Sequence, residues 1–213
     1  MIIIKSKNEI ELMRKSGKVT GFILKSLEDI IRPGISTLDI DRYVSRIIKE
    51  NNMTPTFLGY QGFPASICAS INEEVVHGIP SGKRILQEGD IISIDVGCTY
   101  EGYVTDAART YPVGEVRDEA KKIIDTAKAS FFAGLEFCRK GHRLSDISGA
   151  IQERVEADGF GVIRDLVGHG VGRQMHEEPQ IPNYGKPGRG PRLAEGMVFA
   201  IEPMITEGTY EIE

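Results

Sequence analysis

The chain repeats one order of segments twice, two helical stretches followed by a strand-rich stretch, and this order limits the folds open to it. The first helix is predicted to begin at the capping box of Ser6 to Glu9 and to end before Pro33, and a second follows over about 40–48. Short apolar runs separated by Gly, Pro and Asn predict strands and turns over 64–114. Helical periodicity returns over about 118–138 and 145–158, and strand-like sequence follows Gly159.

The two halves also match weakly in sequence when residues 32–53 are placed over 139–160. Four of these 22 positions are identical, and they are Arg32, Gly34, Asp39 and Ile40 on Arg139, Gly141, Asp146 and Ile147. Shared helical patterning explains part of the match, and a duplication is the other explanation. A duplication predicts an α+β domain with pseudo-twofold symmetry and a site between its halves. We expect residues 1–213 to form a single domain.

Composition and cysteine usage exclude several classes of protein. The formal net charge is −5, whereas nucleic-acid and membrane-surface proteins more often carry basic clusters. No apolar stretch approaches the roughly 20 residues of a membrane span, and we expect a cytoplasmic protein. Cys68, Cys98 and Cys138 are far apart and form no C-x-x-C pair, so we expect buried free thiols and neither a disulfide nor a thiolate zinc site.

Two aspartates interrupt neighbouring apolar runs that read as a β-hairpin. Asp95 lies in 91–97 and Asp106 in 103–108, with the turn placed within 98–102. A turn centred between Tyr100 and Glu101 places the two carboxylates directly opposite each other, with Cβ atoms about 4.5–5.5 Å apart. Like charges so placed are costly unless a proton or cation lies between them. The alternative is that both face solvent.

A histidine and a glutamate extend this donor set. His169 lies among glycines in 168–172, and Glu202 lies in the apolar run 196–204. A carboxylate in such a run is costly unless it is ligated, although Pro203 also fits an edge strand with Glu202 facing water. Three carboxylates and one imidazole suit Mn²⁺, Fe²⁺, Co²⁺ or Zn²⁺. Two such ions about 3.5–4 Å apart would supply a hydroxide nucleophile near neutral pH.

The other histidines differ in their surroundings. His77 precedes Gly-Ile-Pro in a loop, which makes it a candidate for substrate contact, although a surface position is the more common case for such a residue by itself. His142 lies in a polar turn between helices and is expected to be structural or solvated.

Together these motifs resemble type I methionine aminopeptidases, in the same order from the first helix to the end of the chain. The segments that carry the resemblance are 72–80, 168–172, 176–179 and 201–203, together with Asp95 and Asp106. The resemblance implies the pita-bread fold, a pseudo-twofold α+β repeat in which helices cover a curved antiparallel sheet. It also implies two divalent metal ions, with Asp95, Asp106, His169 and Glu202 as ligands.

The resemblance further implies catalytic and substrate-binding roles. His176 would contact the scissile carbonyl, His77 would position the peptide bond or transfer a proton, and Glu202 would act as acid and base. The methionine pocket would be formed by Tyr60, Phe63, Cys68 and Met175, with Phe57 adjacent. Sulfur and aromatic groups suit a thioether side chain. Bacterial members of the family often carry a cysteine at the position of Phe57 and an aromatic residue at that of Met175, which bears on fine substrate preference.

One ligand of the family has no counterpart in the sequence. The family carries a second bridging glutamate several tens of residues beyond Glu202, and Glu207, Glu211 and Glu213 lie in no matching motif. We therefore expect a C-terminally shortened chain with incomplete occupancy of the second metal position and weak activity. The expected reaction is removal of the N-terminal methionine from nascent proteins, by a monomer with possible ribosome association. The alternatives are an X-Pro aminopeptidase or prolidase, and a non-catalytic pita-bread module that binds peptide termini.

Overall fold

The computed structural model describes residues 1–212, and these divide into two compact units. The first, here called the N-terminal unit, comprises Lys7–Ala120 and Gly172–Met175. The second, the C-terminal unit, comprises Met1–Ser6, Lys121–Val171 and the described residues from His176 onward. Two helices followed by strands occur in each half of the chain, as the sequence predicts.

The N-terminal unit contains two helices and four strands. Helix α1 spans Lys7–Ile30 and α2 spans Thr37–Glu50, and Ser36 caps α2 by accepting a hydrogen bond from the Asp39 backbone N–H. The strands are β1 (Thr54–Pro55), β2 (Ile67–Ile71), β3 (Ile91–Tyr100) and β4 (Tyr103–Pro112), with one 3₁₀ turn at Tyr60–Gly62. All pairings are antiparallel to β3, with β4 along its whole length and with β1 and β2 at separate parts of it.

The register of the β3–β4 hairpin corrects one prediction. Asp95 pairs with Ala108 and Asp106 pairs with Gly97, so the two aspartates are diagonal neighbours and not directly opposed. The turn consists of Glu101 and Gly102 alone, both with positive φ, which moves its centre one residue beyond the predicted position. Because side chains alternate along a strand, both aspartates still point to one face. Diagonal positions in a sheet are about 7–8 Å apart.

The helical periodicity of α1 and α2 buries one apolar stripe against this sheet. Ile23 and Leu27 of α1 and Ile40 and Ile48 of α2 are fully buried, and they form one core with Ile92, Ile94 and Val96 of β3 and with residues of the other strands. Apolar burial of this kind contributes about 25 cal/mol per Å². The core thus fixes the face of the hairpin that points away from the aspartates.

The C-terminal unit contains most of α3 (Asp118–Leu135), α4 (Leu144–Ala157) and five short strands. These strands are β5 (Gly161–Val162), β6 (Gly168–Gly170), β7 (Glu177–Ile181), β8 (Phe199–Ala200) and β9 (Ile205–Thr206). Strands β7, β6 and β8 form one antiparallel sheet with β6 in the centre, and β5 pairs with β9. Ile147, Ile151 and Val155 of α4 pack in a second core with Val162 and Ile181.

The structure also bears on the predictions about the cysteines and about membrane-spanning segments. The prediction of buried free thiols is confirmed for Cys68 and Cys98 and is wrong for Cys138, which is a free thiol but only half-buried. Among residues 1–212, no helix has the length and apolarity that a membrane crossing requires.

Candidate metal centre

In the N-terminal unit, the two aspartates lie beside an aromatic ring. Asp95 and Asp106 are both half-buried on one face of the β3–β4 hairpin. Gly97 is the residue paired with Asp106, and a Cβ atom placed on Gly97 would lie 2.7 Å from Cε1 of Phe57. Phe57 is 3% exposed. The absence of a side chain at Gly97 therefore lets the Phe57 ring rest on the hairpin beside the Asp106 position.

Strand β2 flanks β3 on the edge opposite to β4, and its Cys68 pairs with Asp95. Burial, together with the nearby Asp95 and Asp106 carboxylates, raises the pKa of the Cys68 thiol to about 12. The thiol is therefore protonated at neutral pH and is not a thiolate ligand. The Cys68 side chain therefore provides a neutral, polarisable group next to the two aspartates.

The loop that carries His77 is pressed against β2. The Gly78 carbonyl oxygen accepts a hydrogen bond from the Ala69 backbone N–H at 2.8 Å, and the φ of His77 is +59°. At Gly78, an added Cβ would lie 2.2 Å from the Ala69 carbonyl oxygen, so only glycine fits there. A positive φ at a non-glycine residue is uncommon and is often found at functional positions. The loop thus holds an exposed imidazole at a fixed backbone position next to Cys68.

The other predicted pocket residues lie in two segments of the same unit. Phe57, Tyr60 and Phe63 belong to a tight turn in which the Tyr60 N–H donates to the Phe57 carbonyl and the Phe63 N–H to the Tyr60 carbonyl. Met175 is half-buried in the segment Gly172–Met175. In that segment, Arg173 Nη2 lies 3.1 Å from Glu9 Oε1 and the guanidinium lies over the Tyr103 ring.

In the C-terminal unit, His169 and Glu202 meet side by side. His169 is 8% exposed in the central strand β6, and its Nδ1 lies 2.8 Å from the Gly170 carbonyl oxygen. A proton on Nδ1 would satisfy that carbonyl and leave the lone pair of Nε2 available as a ligand. Nε2 lies 3.2 Å from Glu202 Oε1.

The Glu202 carboxylate has an unusual buried oxygen. Oε1 is buried, and within the described residues it has no hydrogen bond of acceptable geometry, despite its proximity to His169 Nε2. A buried carboxylate oxygen without a donor is costly unless a cation or proton neutralises it. The imidazole and the carboxylate together are a donor pair that divalent transition metals favour. These residues therefore fit a metal ion.

His176 stands next to this pair. Its ring centroid lies 4.4 Å from that of His169, at an interplanar angle of 61°. His176 is exposed and directly precedes β7. The C-terminal unit therefore brings together three of the predicted site residues, His169, His176 and Glu202. The N-terminal unit brings together Asp95, Asp106, Cys68 and His77.

Sequence reasoning missed Asn183, which is fully buried in the C-terminal unit. Its side-chain Nδ2 donates to the Glu202 carbonyl oxygen at 2.6 Å. The only local signal is a polar residue after the apolar end of β7, which is too common to single it out. Glu202 itself lies outside the strands, since β8 ends at Ala200 and β9 begins at Ile205, so the edge-strand alternative does not apply to it.

The fold and these two clusters of imidazole and carboxylate groups define a metallopeptidase. Residues 11–213 match the model of Metallopeptidase family M24, and the chain belongs to this family. It is 57% identical to a methionine aminopeptidase of Clostridium acetobutylicum over all of this chain and 85% of the relative. It is 50% identical to methionine aminopeptidase 1 of Bacillus subtilis over all of this chain and 86% of the relative.

Solved structures agree with this assignment. The methionine aminopeptidase of Thermotoga maritima superposes with a TM-score of 0.97 at 46% identity, covering 99% of this chain and 85% of that one. An X-Pro aminopeptidase of the same organism gives a TM-score of 0.77 at 25% identity, over all of this chain and 58% of that one. The predicted pita-bread fold and the resemblance to methionine aminopeptidases are confirmed.

Proposed function

We propose that the protein removes the N-terminal methionine from nascent proteins and peptides by metal-dependent hydrolysis of the first peptide bond. The observation that carries the proposal is the pair of His169 Nε2 and Glu202 Oε1, 3.2 Å apart, with a buried oxygen that lacks a hydrogen bond within residues 1–212. This is a ligand pair in a chain of a metallopeptidase family. The names of its relatives supply the substrate class.

The proposed cofactor is a pair of divalent ions, Co²⁺, Mn²⁺, Fe²⁺ or Zn²⁺. The proposed ligands are Asp95, Asp106, His169 and Glu202. In the C-terminal unit, His169 Nε2 and Glu202 Oε1 lie 3.2 Å apart, and in the N-terminal unit Asp95 and Asp106 share one face of the β3–β4 hairpin. Such a set of hard and borderline donors suits these metals. When bound, the ions supply a Lewis acid and an activated water nucleophile.

The remaining roles belong to side chains around the ligands. We assign to His176, whose ring lies against that of His169, a hydrogen bond to the scissile carbonyl oxygen as negative charge develops there. His77 would position the peptide bond or transfer a proton to the leaving amine. Glu202 would accept the proton of the attacking water and return it to the amine.

For the methionine side chain, the proposed pocket is formed by Phe57, Tyr60, Phe63, Cys68 and Met175. The neutral Cys68 thiol and the aromatic rings are polarisable groups that favour contact with a thioether. As partners we propose the N-termini of nascent polypeptides and the ribosome, which carries them. We also propose that the protein is cytoplasmic and acts as a monomer and as a single catalytic domain.

The test is hydrolysis of a peptide panel by metal-loaded protein. We expect Met-Ala peptides to be cleaved in preference to X-Pro peptides when Mn²⁺ or Co²⁺ is supplied. Because loss of a group that only orients a ligand costs about 10–100-fold, His169→Ala should cost at least about 100-fold in metal affinity or rate. The matched control is His142→Ala in the polar turn, where the side chain contacts Arg139, and it should leave both unchanged.

Other outcomes would identify the alternatives. Preferential cleavage of X-Pro peptides would make the protein an X-Pro aminopeptidase. Peptide binding without metal uptake or cleavage at saturating Mn²⁺ or Co²⁺ would identify a non-catalytic binding module. Equal losses in His169→Ala and His142→Ala would contradict the assignment of His169 as a ligand.

A further inference from the structure

Asn183 is a fully buried polar residue two positions after the end of β7. Its Nδ2 lies 2.6 Å from the main-chain carbonyl oxygen of Glu202. A carbonyl accepts and does not donate, so the side-chain nitrogen must face Glu202 and the orientation of the amide is fixed. The Asn183 Oδ1 then points elsewhere, and it is buried without a hydrogen bond in the part of the chain that the structure describes.

The position of this bond in the sheet is informative. In the three-stranded sheet, β6 lies between β7 and β8, with Gly168 paired to Ile181 and His169 paired to Ala200. The polypeptide continues past Gly168 after the last paired residue of β7, and it does so again after the last paired residue of β8. Asn183 lies in the segment that follows β7, and Glu202 lies in the segment that follows β8. The Asn183 amide therefore connects the segment after β7 to the segment after β8. This connection lies just beyond Gly168, the first residue of the central strand β6 that carries His169.

Gly168 of the central strand β6 contacts the backbone of residues 200–202. A Cβ on Gly168 would lie 2.4 Å from the Ala200 carbonyl oxygen and 3.4 Å from the Glu202 nitrogen. The backbone of 200–202 thus packs directly on Gly168 and is held on its other end by Asn183. Since Glu202 lies outside β8, the side-chain bond replaces the strand pairing that its carbonyl would otherwise have.

Stability alone is a poor reason for a buried amide that satisfies only one of its two polar ends. An apolar side chain would fill the space without leaving Oδ1 unpaired. Buried polar groups of this kind are retained where they fix a geometry. We infer that Asn183 is a positioning residue, which holds the Glu202 main chain so that the carboxylate stays against His169 in the geometry that binds metal.

This inference rests on the proposed function, and its test reads metal binding directly. Asn183→Leu removes the donor and keeps a similar volume. The matched control is Thr126→Val, which removes another buried donor in the same unit, the hydroxyl that donates to Asp158 Oδ2 at 2.6 Å. Each protein is stripped of metal and titrated with Co²⁺, with calorimetry for affinity and visible absorption for the coordination of the ion.

We expect Asn183→Leu to weaken Co²⁺ binding by about 10–100-fold, the usual cost of losing a group that orients a ligand, and to alter the absorption bands. For Met-Ala peptides, kcat should fall while KM stays nearly constant, because the methionine pocket is untouched. Thr126→Val should lose comparable thermal stability and keep the wild-type affinity and spectrum.

The outcomes separate this inference from the function on which it rests. If wild-type protein takes up no Co²⁺, the proposed function fails. If wild-type protein binds and Asn183→Leu binds equally with the same spectrum, Asn183 is not a positioning residue while the function stands. Should Asn183→Leu not fold, Asn183→Ser provides the same comparison, because its hydroxyl is too short to reach the Glu202 carbonyl. Wild-type affinity in that variant would also overturn the inference.

Discussion

Lys5 and Glu177 form a buried ion pair although 172 positions separate them in the chain. Lys5 Nζ lies 2.5 Å from Glu177 Oε2, and both side chains are 2% exposed. The Lys5 backbone N–H also donates to the Gly196 carbonyl oxygen at 2.8 Å. Because Glu177 directly follows His176, these bonds tie the first residues of the chain to the start of β7 beside a proposed catalytic histidine.

Replacing Lys5 with methionine should strongly destabilise the C-terminal unit. The substitution keeps the length of the side chain but leaves the Glu177 carboxylate buried without its cation, which typically costs about 3–5 kcal/mol. Urea unfolding followed by circular dichroism measures this loss. The double substitution Lys5→Met with Glu177→Leu should recover most of it, because neither charge is then buried.

An exposed pair provides the control for this prediction. Lys25 and Glu28 are neighbours on α1, and the Lys25 side chain is 73% exposed. Lys25→Met should change stability by less than about 1 kcal/mol, since exposed pairs contribute little. A loss in Lys5→Met no greater than in Lys25→Met would show that the buried pair does not anchor the segment.

Gly168→Ala should damage both folding and metal binding. The added methyl group would lie 2.4 Å from the Ala200 carbonyl oxygen, so β6 and β8 must separate. We expect a loss of about 3 kcal/mol, the upper part of the range for overpacking, and weaker Co²⁺ binding because Glu202 moves with Ala200. Thermal unfolding and cobalt titration measure these effects.

Gly21→Ala is the matched control for that substitution. Gly21 is exposed on α1, and no atom lies within 4 Å of an added Cβ. Alanine there should stabilise the protein by about 0.5–1 kcal/mol, because it lowers the backbone entropy of the unfolded chain and favours helix. The prediction for Gly168 is wrong if its alanine variant is as stable as wild type.

Asp41→Asn should change stability in a pH-dependent way. Burial raises the pKa of Asp41 above its usual value of 3.8, although its Oδ1 accepts hydrogen bonds from Ser66 and Ile67 N–H. A carboxyl whose pKa is higher in the folded state favours folding at low pH, and this contribution is lost as pH rises through the interval above 3.8. Asparagine retains the acceptor without the charge. We expect the variant to gain stability relative to wild type at pH 7 and to lose that advantage at pH 3.

Asp158→Asn should show the opposite trend. The hydrogen bond from the Thr126 hydroxyl, helped by Arg154 and Lys122, lowers the pKa of Asp158. Its contribution is present above the unfolded pKa and disappears as pH falls through the folded value. The variant should be less stable than wild type at pH 7 and equal to it in strong acid. Denaturant unfolding at several pH values tests both aspartates, and parallel pH profiles for the two variants would contradict these assignments.

Glu101→Asn should stabilise the β3–β4 hairpin. Glu101 has a φ of +48° at the first position of a two-residue turn, and Gly102 follows it with a φ of +80°. Asn-Gly is the preferred sequence of such turns, and a left-handed conformation costs most other residues about 1 kcal/mol or more. We expect a gain of about 1 kcal/mol in urea unfolding with unchanged peptidase kinetics. Glu101→Gln, which keeps the strain, should show no gain.

The helices could be predicted closely because their signals are local. The apolar period predicted helices that the structure gives as α1, α2, α3 and α4, with ends shifted by a few residues. The third ends at Leu135 rather than at Cys138. Helix ends depend on one or two hydrogen bonds, whereas the period depends on the whole buried stripe.

The register and the long-range contacts could not be predicted in the same way. The face shared by Asp95 and Asp106 followed from strand alternation, but their diagonal offset depends on which two residues make the turn. The bond between Asn183 and Glu202 depends on three strands meeting. The ion pair between Lys5 and Glu177 depends on a contact between residues that are distant in the sequence, and no local sequence pattern predicts it.

The two-residue turn at Glu101 and Gly102 also bears on protein engineering. Its residues are exposed, and exposed loop tips are the usual sites for inserting epitope tags or fluorescent reporters. Here, however, Tyr100 pairs directly with Tyr103, so the turn itself sets the alignment of the strands that carry Asp95 and Asp106. A tag inserted at this tip would release that alignment, and the hairpin is therefore a poor place for labels despite its accessibility.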